Sequence, residues 1–261
     1  MRTTAARKQA TARGHTVHVN GIQMYYEESG AGDPLVLLHG FGGCSQNWQP
    51  FAVELSEHRR VIAVDLRGHG HSTNPANLFT HREAARDVFL LLDELGIGRF
   101  SAMGMSTGGM TLLHMATSQP ARIDAMVLIS ATSHFTDQAR ALFRRAAFEN
   151  FPPQVQEMYR ECAKRGEAQL QQLVAQFKAF HDNQDDMSFT ARELSIITAR
   201  TLVVHGDRDR FFPVEIPVSL YRSIPEAALW VIPGGDHVPI YDSAVPFTPT
   251  ALRFLDGPDG P

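Results

Sequence analysis

The stretch Gly104-Met105-Ser106-Thr107-Gly108-Gly109 follows the run "FSAM" (100–103) and precedes "MTLLHMATSQP" (110–120). A serine set among glycines, where a strand pattern passes into a helix pattern, has two readings. One is a loose loop. The other is a sharp turn from strand to helix that only small residues permit, with the serine hydroxyl held out over the strand end. The second requires a strand before the motif and a helix after it, and both patterns are present. It also requires a base to activate the hydroxyl and a carboxylate to hold the base.

Working outward, short apolar runs alternate with helical ones. "PLVLLHG" (34–40), "RVIAVDL" (60–66), "AMVLIS" (125–130), "TLVVHG" (201–206) and "ALWVIPG" (228–234) read as buried strands. "SQNWQPFAVELSEH" and "HREAARDVFLLLDELG" (81–96) read as helices, as do "VEIPVSLYRSI" and "VPFTPTALRFL", although each of the last two contains a proline. "HTVHV" and "IQMYYEE" flank Asn20-Gly21, a hairpin signal. Alternating apolar strands and helices imply a parallel sheet covered on both faces, here with an antiparallel edge at the start. Residues 134–195 break the alternation. They hold helical patterns and no strand, and read as a helical insertion between two strands.

Twelve histidines compete for the role of base. His237, in "PGGDHVPI", follows the last strand in a glycine-rich loop, on the side where parallel sheets bind ligands. His114 lies inside a helix and reads as a packing residue. His69 and His71, in "RGHGHS", lack a third ligand for a metal. For the carboxylate, "VVHGDRDRFFP" offers Asp207 and Asp209 past a strand end, and the residue pattern by itself leaves the two open.

At this point the chain resembles the α/β-hydrolase fold family from about residue 17 to 255. The resemblance rests on "HGFGG" (39–43), "DLRGHGHS" (65–72), "GMSTGG" (104–109), "HGDRDRFFP" (205–213) and "GGDH" (234–237), in that order. It implies a mostly parallel sheet with an antiparallel N-terminal hairpin, and a helical cap inserted after the sixth strand. It implies a Ser-Asp-His order along the chain. The family's acid stands four residues before a proline, which selects Asp209 with Pro213 and leaves Asp207 as a turn residue; Asp236 is read as structural. Catalytic Ser106, Asp209 and His237 follow, with the backbone N–H groups of Phe41 and Thr107 as oxyanion donors. Met105, Phe135, Phe211 and Val238 are the expected substrate-binding residues. "DLRGHGHS" is expected to be a structural loop.

The implied domains are a tail at 1–14, a core at 15–133 plus 196–256, and a cap at 134–195. The implied chemistry is hydrolysis of small to medium, largely apolar carboxylic esters by a carboxylesterase-type serine enzyme, through an acyl-enzyme. The same three side chains serve lactonases, carbon–carbon bond hydrolases and perhydrolases. A small-molecule receptor with slow turnover is the alternative of another class. Serine at the nucleophile position disfavours the dehalogenase and epoxide hydrolase branches, which use aspartate there.

Composition bounds these readings. The chain has 261 residues, 43% hydrophobic and 20% charged, with a net charge of −4. That is ordinary globular composition without the basic surface that nucleic acid or anionic membranes attract. No metal or cofactor is expected, and the partner expected is a small-molecule ester. The start, "MRTTAARKQATARG", lacks an apolar segment and reads as a tail, not a secretory signal. The two cysteines, Cys44 and Cys162, are expected to be separate thiols in a reducing, cytoplasmic setting. Oligomeric state is not readable.

Overall fold

In the computed structural model, which describes residues 12–257, Asn20 and Gly21 turn β1 (Arg13–Val19) back onto β2 (Ile22–Ser29). Both turn residues have positive φ, 46° and 75°, as a two-residue hairpin demands. The strands that follow are β3 (Pro34–Leu38), β4 (Arg60–Val64), β5 (Phe100–Met105), β6 (Ile123–Ile129), β7 (Arg200–Gly206) and β8 (Ala227–Ile232). They form one sheet in the order β1-β2-β4-β3-β5-β6-β7-β8. β1 and β2 pair antiparallel with each other, β2 pairs antiparallel with β4, and every later pairing is parallel.

Two apolar layers close over the sheet. On one face α1 (Gln49–His58) and α9 (Phe247–Asp256) cover Leu35, Leu37, Met103, Val127 and Val204. On the other, α2 (His81–Glu94), α3 (Thr107–Ser118) and α8 (Glu215–Ser223) cover Val36, Leu38, Ala102, Leu128 and Val203. Alternate residues of each strand thus enter opposite cores, the period-two pattern of a sheet buried on both sides. The prolines that blurred two helices, Pro217 and Pro249, both fall in first turns, where a missing N–H breaks no intrahelical bond.

Between β6 and β7 the chain runs through α4 (Asp137–Arg144), α5 (Pro153–Cys162), α6 (Glu167–Ala179) and α7 (Ala191–Leu194). This insertion is tied to the core at its edges. Asp186 reaches the start of α2, where its carboxylate accepts from the His81 and Arg82 amides at 2.8 and 3.2 Å and from His81 Nδ1 at 2.6 Å. It thereby satisfies first-turn donors and complements the helix dipole. Burial alone would raise the Asp186 carboxyl, but the His81 contacts outweigh it and bring the group down to about 2. Gln169 donates to the Gly68 and Gly70 carbonyls at 2.8 and 2.9 Å.

Two expectations are corrected. Cys44 and Cys162 are not separate thiols. They form a disulfide, with Cα atoms 5.5 Å apart and a sequence separation of 118. The insertion folds back so that the end of α5 meets the segment after β3, a proximity that sequence spacing does not reveal. With the bond formed, the thiol argument for a reducing compartment falls away. Second, Arg13 and Gly14, read as part of a tail at 1–14, pair with Glu28 and Glu27 in β1; residues 1–11 lie outside the described residues. Among the described residues no helix is long and apolar enough to cross a membrane.

Candidate active site

Ser106 sits between the end of β5 and the first turn of α3 with φ 49° and ψ −112°, a conformation few non-glycine residues adopt. The glycines around it are required by contact. A Cβ on Gly104 would lie 2.5 Å from Gly108 backbone, and one on Gly108 would lie 2.3 Å from the Leu38 carbonyl oxygen. Only hydrogen fits at these positions, so strand and helix close tightly and the serine is left at the apex. The segment after β3 lies alongside, since a Cβ on Gly40 would stand 3.7 Å from Ser106 Cβ. Of the two expected amide donors, Thr107 directly follows the serine and Phe41 directly follows Gly40. Thr107 opens α3, where first-turn amides have no carbonyl within the helix.

His237 and Asp209 meet as expected, although they come from loops after different strands. His237 Nδ1 is 2.7 Å from Asp209 Oδ2. The other carboxylate oxygen accepts from the Phe211 and Phe212 amides at 2.7 and 3.1 Å. The Asp209 side chain is fully buried. Burial would push its pKa up, but the hydrogen bond and charge of His237 and the Phe211 amide hold it below the usual carboxylate value. Such a carboxylate stays ionised and fixes one imidazole nitrogen as the donor, leaving Nε2 free to take a proton. Asp207 has a different task, accepting from the Gly234 amide at 2.6 Å. Asp236 pairs with Arg210 and accepts from the His237 amide at 2.8 Å.

Two residues that sequence reading did not single out support this arrangement. His205, fully buried at the end of β7, sets Nε2 2.8 Å from the Phe212 carbonyl and 3.6 Å from Asp209 Oδ2. Burial pushes its pKa down, so it is a neutral donor to that carbonyl. Ser130, just past β6, accepts from the Val238 amide at 3.0 Å. Ser130 carries no local motif, and His205 opens the stretch "HGDRDRFFP" without having been singled out in it.

The four expected substrate-binding residues are divided between two apolar layers. Phe211 lies against His237, with ring centroids 4.8 Å apart. Phe135 belongs to the same apolar layer one ring further on, against Phe143 at 5.1 Å. Met105 is buried in the opposite layer, with its sulfur 3.3 Å from the Tyr241 hydroxyl, and Val238 packs on that same layer. What roofs the region is a run of rings. Phe41 contacts Phe177 at 5.5 Å, Phe177 contacts Phe143 at 5.0 Å, and Phe143 contacts Phe211 at 6.1 Å.

A model of the alpha/beta hydrolase fold matches residues 33–198. The chain belongs to the alpha/beta hydrolase fold family. It is 30% identical over 244 residues to the dihydrolipoyllysine-residue acetyltransferase component of an acetoin cleaving system from Pseudomonas putida, a match covering 86% of this chain and only 64% of that longer protein. It is 28% identical over 262 residues to a 2-hydroxy-6-oxononadienedioate/2-hydroxy-6-oxononatrienedioate hydrolase from Burkholderia vietnamiensis, covering 90% of this chain and 91% of that one. A solved meta-cleavage product hydrolase from Pseudomonas fluorescens superposes with a TM-score of 0.77 at 21% identity, over 93% of this chain and 97% of that chain. That likeness concerns the fold.

Within this family member, an open cavity of about 680 Å³ lies away from Ser106, between α2, α3 and the segment 185–196. Arg82, Phe89, His114 and Phe189 line it, and none of Ser106, Asp209 or His237 does. Ser106 and the Asp209–His237 pair lie past strand ends and not in that cavity. His69 and His71 do not share a site: His69 is buried against His39 and Phe41, whereas His71 stacks on Tyr25.

Proposed function

We propose that this protein is a serine hydrolase of carboxylic esters, with Ser106 as nucleophile, His237 as base and Asp209 as the group that holds the base. In this reading the ester carbonyl settles against the Phe41 and Thr107 amides. His237 takes the Ser106 proton as Oγ attacks, and the negative oxygen is met by two fixed N–H donors. His237 then gives the proton to the leaving alcohol. Water, deprotonated by the same nitrogen, releases the acid from Ser106. All of this needs a carboxylate that stays ionised beside an oriented imidazole, and the buried Asp209–His237 pair is the observation that carries the reading.

Small to medium apolar esters are favoured by the ring layer. Phe41, Phe143, Phe177 and Phe211 bring no charge to the region, and Arg144, Arg145 and Arg160 of the insertion are exposed. A lining of this kind rewards apolar groups and gives a carboxylate substrate no partner. Carbon–carbon bond hydrolysis is the second reading, favoured by the relative whose name describes a dioate and which matches along nearly all of both chains.

One panel separates these readings: p-nitrophenyl esters of rising acyl length, simple lactones and a vinylogous 1,5-diketone acid, with mass spectrometry of a phosphonylated Ser106 peptide. Multiple turnovers on the shorter esters are expected. Turnover confined to the diketone acid would favour the second reading, and a single slow turnover with a persistent adduct would indicate a receptor.

A further inference from the structure

The segments that lead to or carry the proposed triad all meet one dipeptide, Ile129-Ser130, at the end of β6. The Ser106 amide donates to the Ile129 carbonyl at 2.7 Å. The Ser130 amide donates to the Val204 carbonyl at 2.9 Å, on the strand that leads into Asp209. The Val238 amide, next to His237, donates to Ser130 Oγ at 3.0 Å. The nucleophile, the strand that leads to the acid and the residue that follows the base thus each have a hydrogen bond to the same two residues, and the bond to Val238 is the only one of the three made by a side chain.

Two further features set Ser130 apart from an ordinary packing residue. It is fully buried, and its φ is 51°, in the left-handed region where glycine is at ease and serine is strained. Val238, its partner, has φ 55° and ψ 62°, rarer still for a β-branched residue. Strain held at two non-glycine positions persists only where surrounding contacts fix it, and here the contact that joins the two is the hydroxyl–amide bond. Glycine would suit the backbone at 130 better but could not accept from Val238.

We propose that Ser130 is a positioning residue for His237: its hydroxyl holds the Val238 amide, and through it the imidazole, in register with Ser106. Ser130 touches no reacting atom in this role. The inference rests on the triad reading above. An imidazole displaced by about 1 Å costs on the order of a hundredfold in rate while leaving substrate binding alone.

The test uses Ser130→Ala and Ser130→Gly in the full chain, with Ser106→Ala alongside. Steady-state kinetics on a short p-nitrophenyl ester are combined with the rate at which a fluorophosphonate labels Ser106. Both Ser130 variants should lose roughly tenfold to a hundredfold in kcat, with KM within about threefold of the parent and labelling slowed by a similar factor. Ser130→Gly relieves the strained backbone and so carries the test if Ser130→Ala folds poorly. A merely structural role predicts a Ser130→Gly enzyme with the parent's kcat; that result, or a loss confined to KM, overturns the proposal. An active Ser106→Ala enzyme overturns the triad reading and this inference together. An inactive Ser106→Ala with a fully active Ser130→Gly overturns the positioning role alone.

Discussion

Cutting the Cys44–Cys162 bond should be the costliest covalent change available in this chain. The bond closes a loop of 118 residues. The chain-entropy relation for such a loop, a constant of 2.1 plus 1.5R ln n in cal/mol/K, yields about 16 cal/mol/K, or about 4.9 kcal/mol at 25 °C. Residual structure in the unfolded chain reduces that figure, so about 3–5 kcal/mol is the expected loss, against roughly 5–15 kcal/mol for a typical folded domain. Both cysteines are buried, so reduction leaves two thiols in place without opening a cavity. The assay is guanidinium unfolding of the parent with and without a dithiol reductant, beside the Cys44→Ala/Cys162→Ala protein. At roughly 2–4 °C per kcal/mol, the melting temperature should fall by about 10 °C. Catalysis at 25 °C should survive, because Phe41 is still held by rings of the insertion at 5.1 and 5.5 Å. Alkylation supplies the refutation. If the non-reduced, unfolded parent takes up two carbamidomethyl groups, or if reduced and oxidised protein unfold within 1 kcal/mol of each other, the covalent tie and its energetics are wrong.

Ser106→Ala should abolish ester turnover with unchanged circular dichroism, and activity near the parent's would remove Ser106 as nucleophile. Asp209→Asn should cost up to about 10⁴-fold in kcat by spoiling the imidazole's tautomer, whereas Asp207→Asn keeps an oxygen for the Gly234 amide and should stay within a few fold; the reverse order would shift the acid to Asp207. Along a series of p-nitrophenyl esters, kcat/KM should rise by up to about fourfold per methylene through the short acyl chains, since each buried CH₂ is worth about 0.8 kcal/mol, and then fall as the ring layer is filled; a continued rise through long chains, or a preference for dianionic substrates, contradicts it. His114 supplies an acid-stability prediction. Burial, opposed by Asp186, brings it from its ordinary 6.5 down to about 4. The unfolded chain therefore binds the proton first, so stability falls as pH drops from 6.5 towards 4, by on the order of 3 kcal/mol, and this contribution is flat below that. A His114→Gln protein with an equally steep decline in urea titrations over that window would show that the slope comes from other groups.

Local signals in the sequence were legible because local physics produces them. Asn20-Gly21 demands positive φ at two successive residues and does adopt it. The glycines of the elbow announce a close approach of strand and helix, and Gly104 and Gly108 are indeed in contact. Asp209 was separable from Asp207 only through the family's spacing to a proline, and the Asp209–His237 bond agrees with that choice. The elements that escaped reading all depend on two distant segments meeting. Cys162 finds Cys44 only because α5 returns over the segment after β3. Asp186 reaches His81 across 105 residues, and Ser130 reaches Val238 across 108. A buried serine after a strand carries no composition signal, and its one mark, positive φ, exists only in the folded chain. Met105 and Phe135, grouped together in the sequence reading, fall in different layers, since the alternation of β5 sends Met105 into the opposite core.

The insertion illustrates how the two kinds of information divide. Its apolar periodicity predicts helices, but not what those helices rest on. What fixes the docking is polar and covalent and lies at the edges: the disulfide, the Asp186 carboxylate on the first turn of α2, and Gln169 on two loop carbonyls. These ties are directional, and the buried carboxylate would be costly to strand without its donors. The centre is built differently. Phe143, Phe177 and Phe211 meet one another at 5.0–6.2 Å through ring contacts worth about 0.5–1.5 kcal/mol each beyond their burial. A molecule approaching His237 would therefore meet rings that can turn at modest cost, within a frame whose edges are held by a covalent bond and by the hydrogen bonds of a buried carboxylate. On the proposed reading, substrate choice would reside in these rings, and the alignment of Ser106, Asp209 and His237 in the strand ends.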